Sequence, residues 1–300
     1  MDPLYWLLVT LFSVGVVVAL WGIFIERLRF TIRHDVLAIL PKGSKPIRVL
    51  HISDFHIAPW QKKKLSWIRD LAGLKPDLIV NTGDNLGHTD AIRPALEAMK
   101  PLLEIPGVFV GGSNDYHAPE IRNPLSYLGK PSTPGRRRQL ETGTLFGAFE
   151  VSGWLNLNNR SGSLNVQGTR IGFLGLDDPH DELARFESLN AQVETLKNDD
   201  VLFGVAHAPY LRVILEFQSR GSQLVFAGHT HGGQVCLPGG KAIITNCDLP
   251  ARFAKGLHNV ESGNGNVWLN VCAGLGTSIF APIRVFCAPE VRLLTLTAAS

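Results

Sequence analysis

The chain has 300 residues, 45% of them hydrophobic and 18% charged, with a formal net charge of +3. That composition supplies one large core or two small ones and is too apolar for a disordered chain. The modest charge, with no long basic run interleaved with aromatics, lacks the footprint of a nucleic-acid binder, so no nucleic-acid partner is expected. Four cysteines, all in the last quarter and without a CxxC spacing, exclude a zinc ribbon and read as free buried thiols.

From Leu4 to Ile25 no residue is charged and most are Leu, Val, Ile, Phe or Trp. At about 1.5 Å per residue a helix of this length crosses a hydrocarbon core of roughly 30 Å. Trp6 and Trp21 stand near its ends, where indole rings favour the headgroup layer. A cleaved signal peptide would show a positive first region, a shorter apolar run and a small-residue cleavage site, and the stretch shows none of these clearly. Residues 1–26 are therefore expected to be a retained transmembrane anchor. Residues 27–46, with Arg27, Arg29, Arg33, Lys42 and Lys45, read as a basic juxtamembrane linker ending in Pro41, Gly43, Ser44 and Pro46. The positive charge on that side predicts a single-pass protein of the cell membrane whose large domain, 47–300, is cytoplasmic.

Residues 47–53 read as a buried strand running into Asp54-Phe55-His56, and residues 65–74 have helical spacing. A strand at 77–80 ends at Asn81-Thr82-Gly83-Asp84-Asn85. A helix at 91–103 leads to a strand at 107–110 that ends at Gly111-Gly112-Ser113-Asn114-Asp115. Repetition of strand, polar tip and helix predicts βαβ units that bind ligands at the carboxyl ends of their strands. Residues 124–139 form a basic insertion with Arg136, Arg137 and Arg138, expected to be a solvated loop. A helix at 145–152, strands at 163–166 and 170–176, and a helix at 189–196 follow. A strand at 201–206 then runs into His207-Ala208-Pro209. A helix at 211–218 and a strand at 223–226 deliver Gly228-His229-Thr230-His231-Gly232-Gly233-Gln234, and the tail is glycine-rich with short strands.

Asp54, His56, Asp84, Asn114, His207, His229 and His231 all fall where buried apolar runs stop, and all are metal-ligand types. Taken singly, each has an ordinary reading: Asp-x-His caps a strand, Gly-Asp-Asn turns the chain, and two histidines two apart decorate an exposed strand. Their coincidence at successive strand ends points to one site. Mixed carboxylate and imidazole ligands suit Mn, Fe or Zn.

In its ordered set D-x-H, G-D, N, H and G-H-x-H over residues 54–231, the chain resembles the calcineurin-like metallophosphoesterases. Within them it looks closest to single-span, membrane-anchored members carrying G-H-T-H-G-G-Q, a run that Gly228 to Gln234 reproduces. The resemblance implies a four-layer α/β-β/α sandwich, here preceded by one transmembrane helix, with two divalent metal ions at one edge of its sheets. It further implies that Asp54, His56 and His231 hold one ion, that Asn114, His207 and His229 hold the other, and that Asp84 bridges them. Two such ions activate a bridging water near neutral pH and clamp both oxygens of an in-line displacement. The expected activity is hydrolysis of a phosphate ester or anhydride, on a phosphoester substrate held at the membrane or carried on a lipid. The competing class is a membrane-tethered metal-binding scaffold without catalysis.

The family's metal-binding Asn is usually followed by a catalytic His, and here that position is Asp115. Either Asp115 or His117 is expected to take over its task, unless the substrate's leaving group is good enough not to need it; His88 and His180 are further candidates whose ordinary reading is a surface histidine. The substrate and the oligomeric state are not indicated by the sequence.

Overall fold

A computed structural model describes residues 2–120, 137–262 and 265–299. Its first element is a helix, α1 (Pro3–Phe24), capped by the Asp2 side chain, which accepts from the Leu4 amide. Apolar side chains cover α1 all round and nearly all are exposed. It is the one helix among the described residues long and apolar enough to cross a membrane. That is consistent with a single-pass anchor.

The rest is built on two six-stranded sheets. The first takes β1 (Thr31–Leu40), β2 (Ile47–Ile52), β3 (Leu78–Asn81), β4 (Gly107–Phe109), β5 (Leu155–Asn156) and β14 (Glu290–Ala298), in the order β1-β14-β2-β3-β4-β5. The second takes β6 (Ser161–Val166), β7 (Thr169–Gly175), β8 (Val201–Val205), β9 (Leu224–Ala227), β12 (Gly256–Ser262) and β13 (Gly265–Val271), in the order β12-β13-β9-β8-β7-β6. A small hairpin, β10 (Cys236–Leu237) with β11 (Lys241–Ala242), lies outside both. β2, β3 and β4 run parallel, as do β7, β8 and β9.

Side-chain alternation makes four layers of these sheets. Ile47 and Val49 of β2, Leu78 and Val80 of β3, Phe203 and Val205 of β8, and Leu224 and Phe226 of β9 meet in a core between the sheets. Leu50, Ile52 and Ile79 face the other way, onto α2 (Lys62–Asp70), α3 (Ile92–Met99) and α5 (Thr142–Val151), with the single turn α4 (Ser113–Tyr116) coming after β4 in the chain. Leu174, Val225 and Leu269 face α6 (Ser188–Thr195) and α7 (Leu211–Ser219). The order is helix, sheet, sheet, helix, the expected sandwich.

Thr31–Leu40 corrects the reading of 27–46 as a linker. It is an edge strand, parallel to β14 with Thr31 opposite Glu290. Its charges are partly spent there: Arg292 donates to Asp35, and Arg33 donates to Glu290 over 3.3 Å. Polar Arg33, His34 and Asp35 hide a strand whose partner lies some 260 residues on. Of the expected insertion at 124–139, residues up to 136 lie outside those described. Arg137 is no solvated loop residue, because its guanidinium donates to both oxygens of buried Asp181 at 2.6 Å.

The core between the sheets also holds a titratable group, His51. Its Nδ1 sits 2.8 Å from Asn270 Oδ1 and its Nε2 sits 3.1 Å from Thr82 Oγ1. Burial lowers the His51 pKa to about 3, against the carboxamide hydrogen bond that opposes it. The unfolded chain therefore takes up this proton first, and His51's contribution to stability is lost as pH falls from about 6.5 towards 3. In urea unfolding, lowering the pH from about 7.5 to about 5 should cost the wild type about 2 kcal/mol more stability than it costs His51→Gln. Parallel losses would refute the neutral, buried imidazole.

Candidate metal centre

The expected ligands gather where β2, β3 and β4 of one sheet and β8 and β9 of the other present their carboxyl ends at a shared edge. Asp54, His56, Asp84, His229 and His231 have φ of 47°, 41°, 56°, 67° and 49°, all left-handed. Such conformations cost a non-glycine residue on the order of 1–3 kcal/mol each and persist where surrounding contacts over-determine them. Here the contacts are backbone bridges between loops. Asp54 N donates to Gly83 O at 2.8 Å, His56 N to Asp84 O at 3.0 Å, Gly228 N to His207 O at 2.8 Å and Gly276 N to Asp54 O at 2.7 Å.

Asp54, His56 and His231 form one cluster. His56 Nε2 and His231 Nε2 lie 3.2 Å apart, and Asp54 Oδ1 is 3.6 Å from the latter. Asp54 Oδ1 is buried without a hydrogen-bond partner, while Oδ2 accepts from the His229 amide at 2.9 Å. Burial lowers the pKa of His56 to about 4 and that of His231 well below its usual value, so both are neutral imidazoles with a ring nitrogen turned to the same point. Two neutral imidazoles and a carboxylate oxygen gathered at one point are a cation cradle.

Asp54, Asp84 and His207 form a second cluster. His207 Nδ1 donates to Thr82 O at 2.7 Å, which turns its partnerless Nε2 towards Asp84 Oδ2 at 3.6 Å. A carbonyl that fixes the tautomer in this way is the usual support of a ligating imidazole. Burial alone would lower the His207 pKa, but Asp84, Asp178 and Asp54 outweigh it and raise it to about 9. The Asp84 carboxyl is held well below the usual range: burial opposes this, and His207, His56 and Asn114 overcome it. Asp84 lies in reach of both clusters, with Oδ2 3.4 Å from His56 Nε2. Its two oxygens accept from the Asn114 amide at 2.8 Å and the Asn114 side chain at 2.7 Å. The buried oxygen and nitrogen without partners, the paired neutral imidazoles and the mixed donor set all fit two divalent cations.

His229 stands slightly apart. Its Nε2 lies 3.3 Å from Asn246 O, and its ring is 5.2 Å from that of His207. The cleft above these residues holds about 470 Å³ and is walled by Val235, Ile243, Ile244 and Ile283.

Asp115 and His117 do not reach this cleft. The Asp115 carboxylate is buried and accepts from the amides of Asn85, Leu86 and Gly112, tying the second strand-end loop to the third. A carboxylate spent on three amides is a brace. Burial, reinforced by Asp84, raises its pKa to about 7. His117 lies beside Asp181, 3.2 Å from its carboxylate. His180, read as a surface residue, lines the cleft instead, with its ring 4.5 Å from that of His229 and Nδ1 2.9 Å from the Tyr210 hydroxyl. His88 stays outside, against Trp60.

Arg284 escaped sequence reasoning altogether. It is fully buried, and its guanidinium donates to the carbonyls of Ala273, Gly274, Gly276 and His231 at 2.7 to 3.2 Å. A lone arginine in an apolar run, Ile283-Arg284-Val285, is the one signal it leaves in the sequence.

A family model described as calcineurin-like phosphoesterase matches residues 47–233. The chain is similar to YpbG of Bacillus subtilis (strain 168), 26% identical over 261 residues that cover 85% of this chain and 83% of that protein. It is also 25% identical over 264 residues to a metallophosphoesterase of Aquifex aeolicus (strain VF5), covering 86% of this chain and 87% of that one. Among solved structures, TT1561 of Thermus thermophilus is similar with a TM-score of 0.44 at 12% identity, covering 77% of this chain and 91% of that chain. The matched stretch runs from β2 to the turn after β9 and contains every strand end that builds the metal centre, so the chain belongs to the calcineurin-like phosphoesterase family.

Proposed function

We propose that this metal-dependent phosphoesterase is of the membrane-anchored kind marked by Gly228 to Gln234, with residues 1–26 as the anchor. In this reading it hydrolyses a phosphoester carried on a lipid, and its catalytic domain faces the cytoplasm. The observation that carries the reading is the cleft: ligand atoms form its floor, Val235, Ile243, Ile244 and Ile283 form its wall, and α1 ends against that same wall. A phosphoryl group fits the floor and an acyl or prenyl chain fits the wall. The positive charge of Arg27 and Arg29 beside the span supports the orientation.

Asp54, His56 and His231 would hold one cation and Asn114, His207 and His229 the other, with Asp84 between them. Such a pair supplies a nucleophile from water at neutral pH and neutralises charge on the phosphoryl oxygens. Among the protein's own groups, Asp84 orients the Asn114 amide, the Thr82 carbonyl fixes the His207 tautomer, and Arg284 holds the His231 backbone. His180 is neutral, because burial lowers its pKa to about 4. Neutral and hydrogen-bonded to Tyr210, the ring can polarise the departing oxygen but carries no proton to transfer to it. An imidazole thus reaches the cleft from the loop after β7, which removes the main argument for a catalytically silent scaffold. His180→Ala should slow alkyl esters by about 10²-fold, the loss of one polarising contact to the departing oxygen, and activated aryl esters less, and His117→Ala should leave both nearly unchanged. The reverse ranking of the two variants would reassign the role.

The substrate reading is tested with the full chain in vesicles, comparing a lipid phosphomonoester, a lipid phosphodiester and a lipid pyrophosphate with their soluble headgroup counterparts. At least one lipid form should be turned over on the order of 10²-fold more efficiently than its soluble counterpart, because the apolar wall contributes only when occupied. Equal efficiency across every pair would contradict it.

A further inference from the structure

The anchor does not hang from the domain on a flexible tether. A Cβ on Gly22 would strike Arg284 O and the side chains of Val285 and Ile283, so α1 is seated directly on the segment 283–285. Two residues past the helix, the buried Glu26 carboxylate accepts from the amides of Phe286 at 3.0 Å and Cys287 at 2.6 Å. The end of the span is thus fixed to the chain that also walls the cleft.

Exposed apolar side chains concentrate around that junction. Away from α1 and Ile25, Val36, Val151, Leu183 and Leu211 are scattered over the surface. Trp60 (59% exposed), Leu237 (50%), Ile243 (54%), Phe280 (44%) and Phe286 (45%) instead surround the end of the helix and the mouth of the cleft. Connectivity links them. Cys236 N donates to Val285 O, which lays the β10–β11 hairpin, with Leu237 and Ile243 on and beside it, along the anchored segment. The run 275–283 passes between the cleft and a second hollow of about 320 Å³, lined by Arg27, Trp60, Lys62 and Lys63. Phe280 lies at the outer turn of that run, and Lys62, Lys63 and Lys241 are exposed.

We propose that this rim is a second membrane contact. Leu237, Ile243, Phe280 and Phe286 enter the leaflet from which α1 emerges, Trp60 lies at its headgroup layer, and Arg27, Lys62, Lys63 and Lys241 meet lipid phosphates. Apolar tips flanked by lysines beside an apolar span match a bilayer interface, whose core is apolar and whose surface is anionic. The cleft then opens onto the lipid surface in a fixed orientation. The proposal rests on α1 spanning the membrane and does not need the substrate to be a lipid.

The test uses the full chain in vesicles of phosphatidylcholine and phosphatidylglycerol. Leu237→Cys, Phe280→Cys, Val151→Cys and Leu211→Cys are each labelled with an environment-sensitive fluorophore, and labelled wild type gives the background of the native thiols. Lipids brominated on the acyl chain should quench the labels at 237 and 280 at least about twofold and leave those at 151 and 211 unquenched. Unchanged turnover of a soluble aryl phosphodiester confirms that each variant is folded. Absence of quenching at 237 and 280, or equal quenching at all four positions, overturns the rim. Quenching at 237 and 280 in a protein that cleaves no lipid ester upholds the rim and refutes the lipid-substrate reading.

Discussion

Asp84→Asn should purify folded, with its thermal midpoint close to that of the wild type, yet with less bound metal and turnover reduced on the order of 10³-fold or more. Asparagine preserves the shape of the side chain and tolerates the left-handed φ of 56° at this position. What it removes is the negative charge between the two clusters, and one of the two oxygens that Asn114 now meets at 2.8 and 2.7 Å. Asp84→Ala should lose as much activity and additionally some stability. The half-buried Asn114 amide would lack its acceptor, a penalty of about 1 kcal/mol. Metal analysis beside turnover decides the matter: two equivalents of metal and unchanged rates in Asp84→Asn would remove Asp84 from the centre.

Gly228→Ala should be nearly as damaging, although it adds one methyl group and deletes no functional atom. Gly228 lies between β9 and the His229 turn, where a Cβ would collide with Ser53 Oγ and Asp54 Oδ2. Neither neighbour can yield cheaply, since Asp54 Oδ2 accepts from both the Ser53 hydroxyl and the His229 amide. The methyl must drive the loop after β9 away from the loop after β2, separating donors contributed by the two sheets. Overpacking of this kind costs about 1–3 kcal/mol, and a displacement near 1 Å at a reacting centre costs on the order of 10²-fold in rate. Gly147→Ala is the matched control. It lies in α5 with nothing within 4 Å of its Cβ, and should stabilise by about 0.5–1 kcal/mol with full activity. Equal behaviour of the two variants in thermal unfolding and turnover would contradict the tight approach at Gly228.

These two positions show what a sequence can and cannot disclose. Apolar runs such as 47–53 and 201–206 reveal strands because burial on both faces leaves no polar interruption, and the seven ligand types stand where those runs stop. The helix over α1 is equally plain from its lack of charge. Strand β1 was hidden because its pairing energy comes from the far end of the chain and the consecutive polar residues Arg33, His34 and Asp35 break any apolar alternation. Asp115 looked catalytic from its place beside Asn114, yet local spacing cannot tell a carboxylate that enters a cleft from one that turns back to brace two loops. The left-handed backbone at five site residues is likewise illegible, since glycine and asparagine, not histidine, normally signal it. His180 and Arg284 come from loops distant in sequence, and only packing of the two sheets brings them to the centre.

The most direct test of the central claim is metal titration of the full chain, stripped by a chelator and followed by calorimetry and by turnover of a soluble phosphodiester. The account predicts that hydrolysis vanishes on stripping and returns only as a second equivalent of Mn, Fe or Zn is bound. Hydrolysis that persists in the stripped protein, or that is complete with a single equivalent, would contradict it.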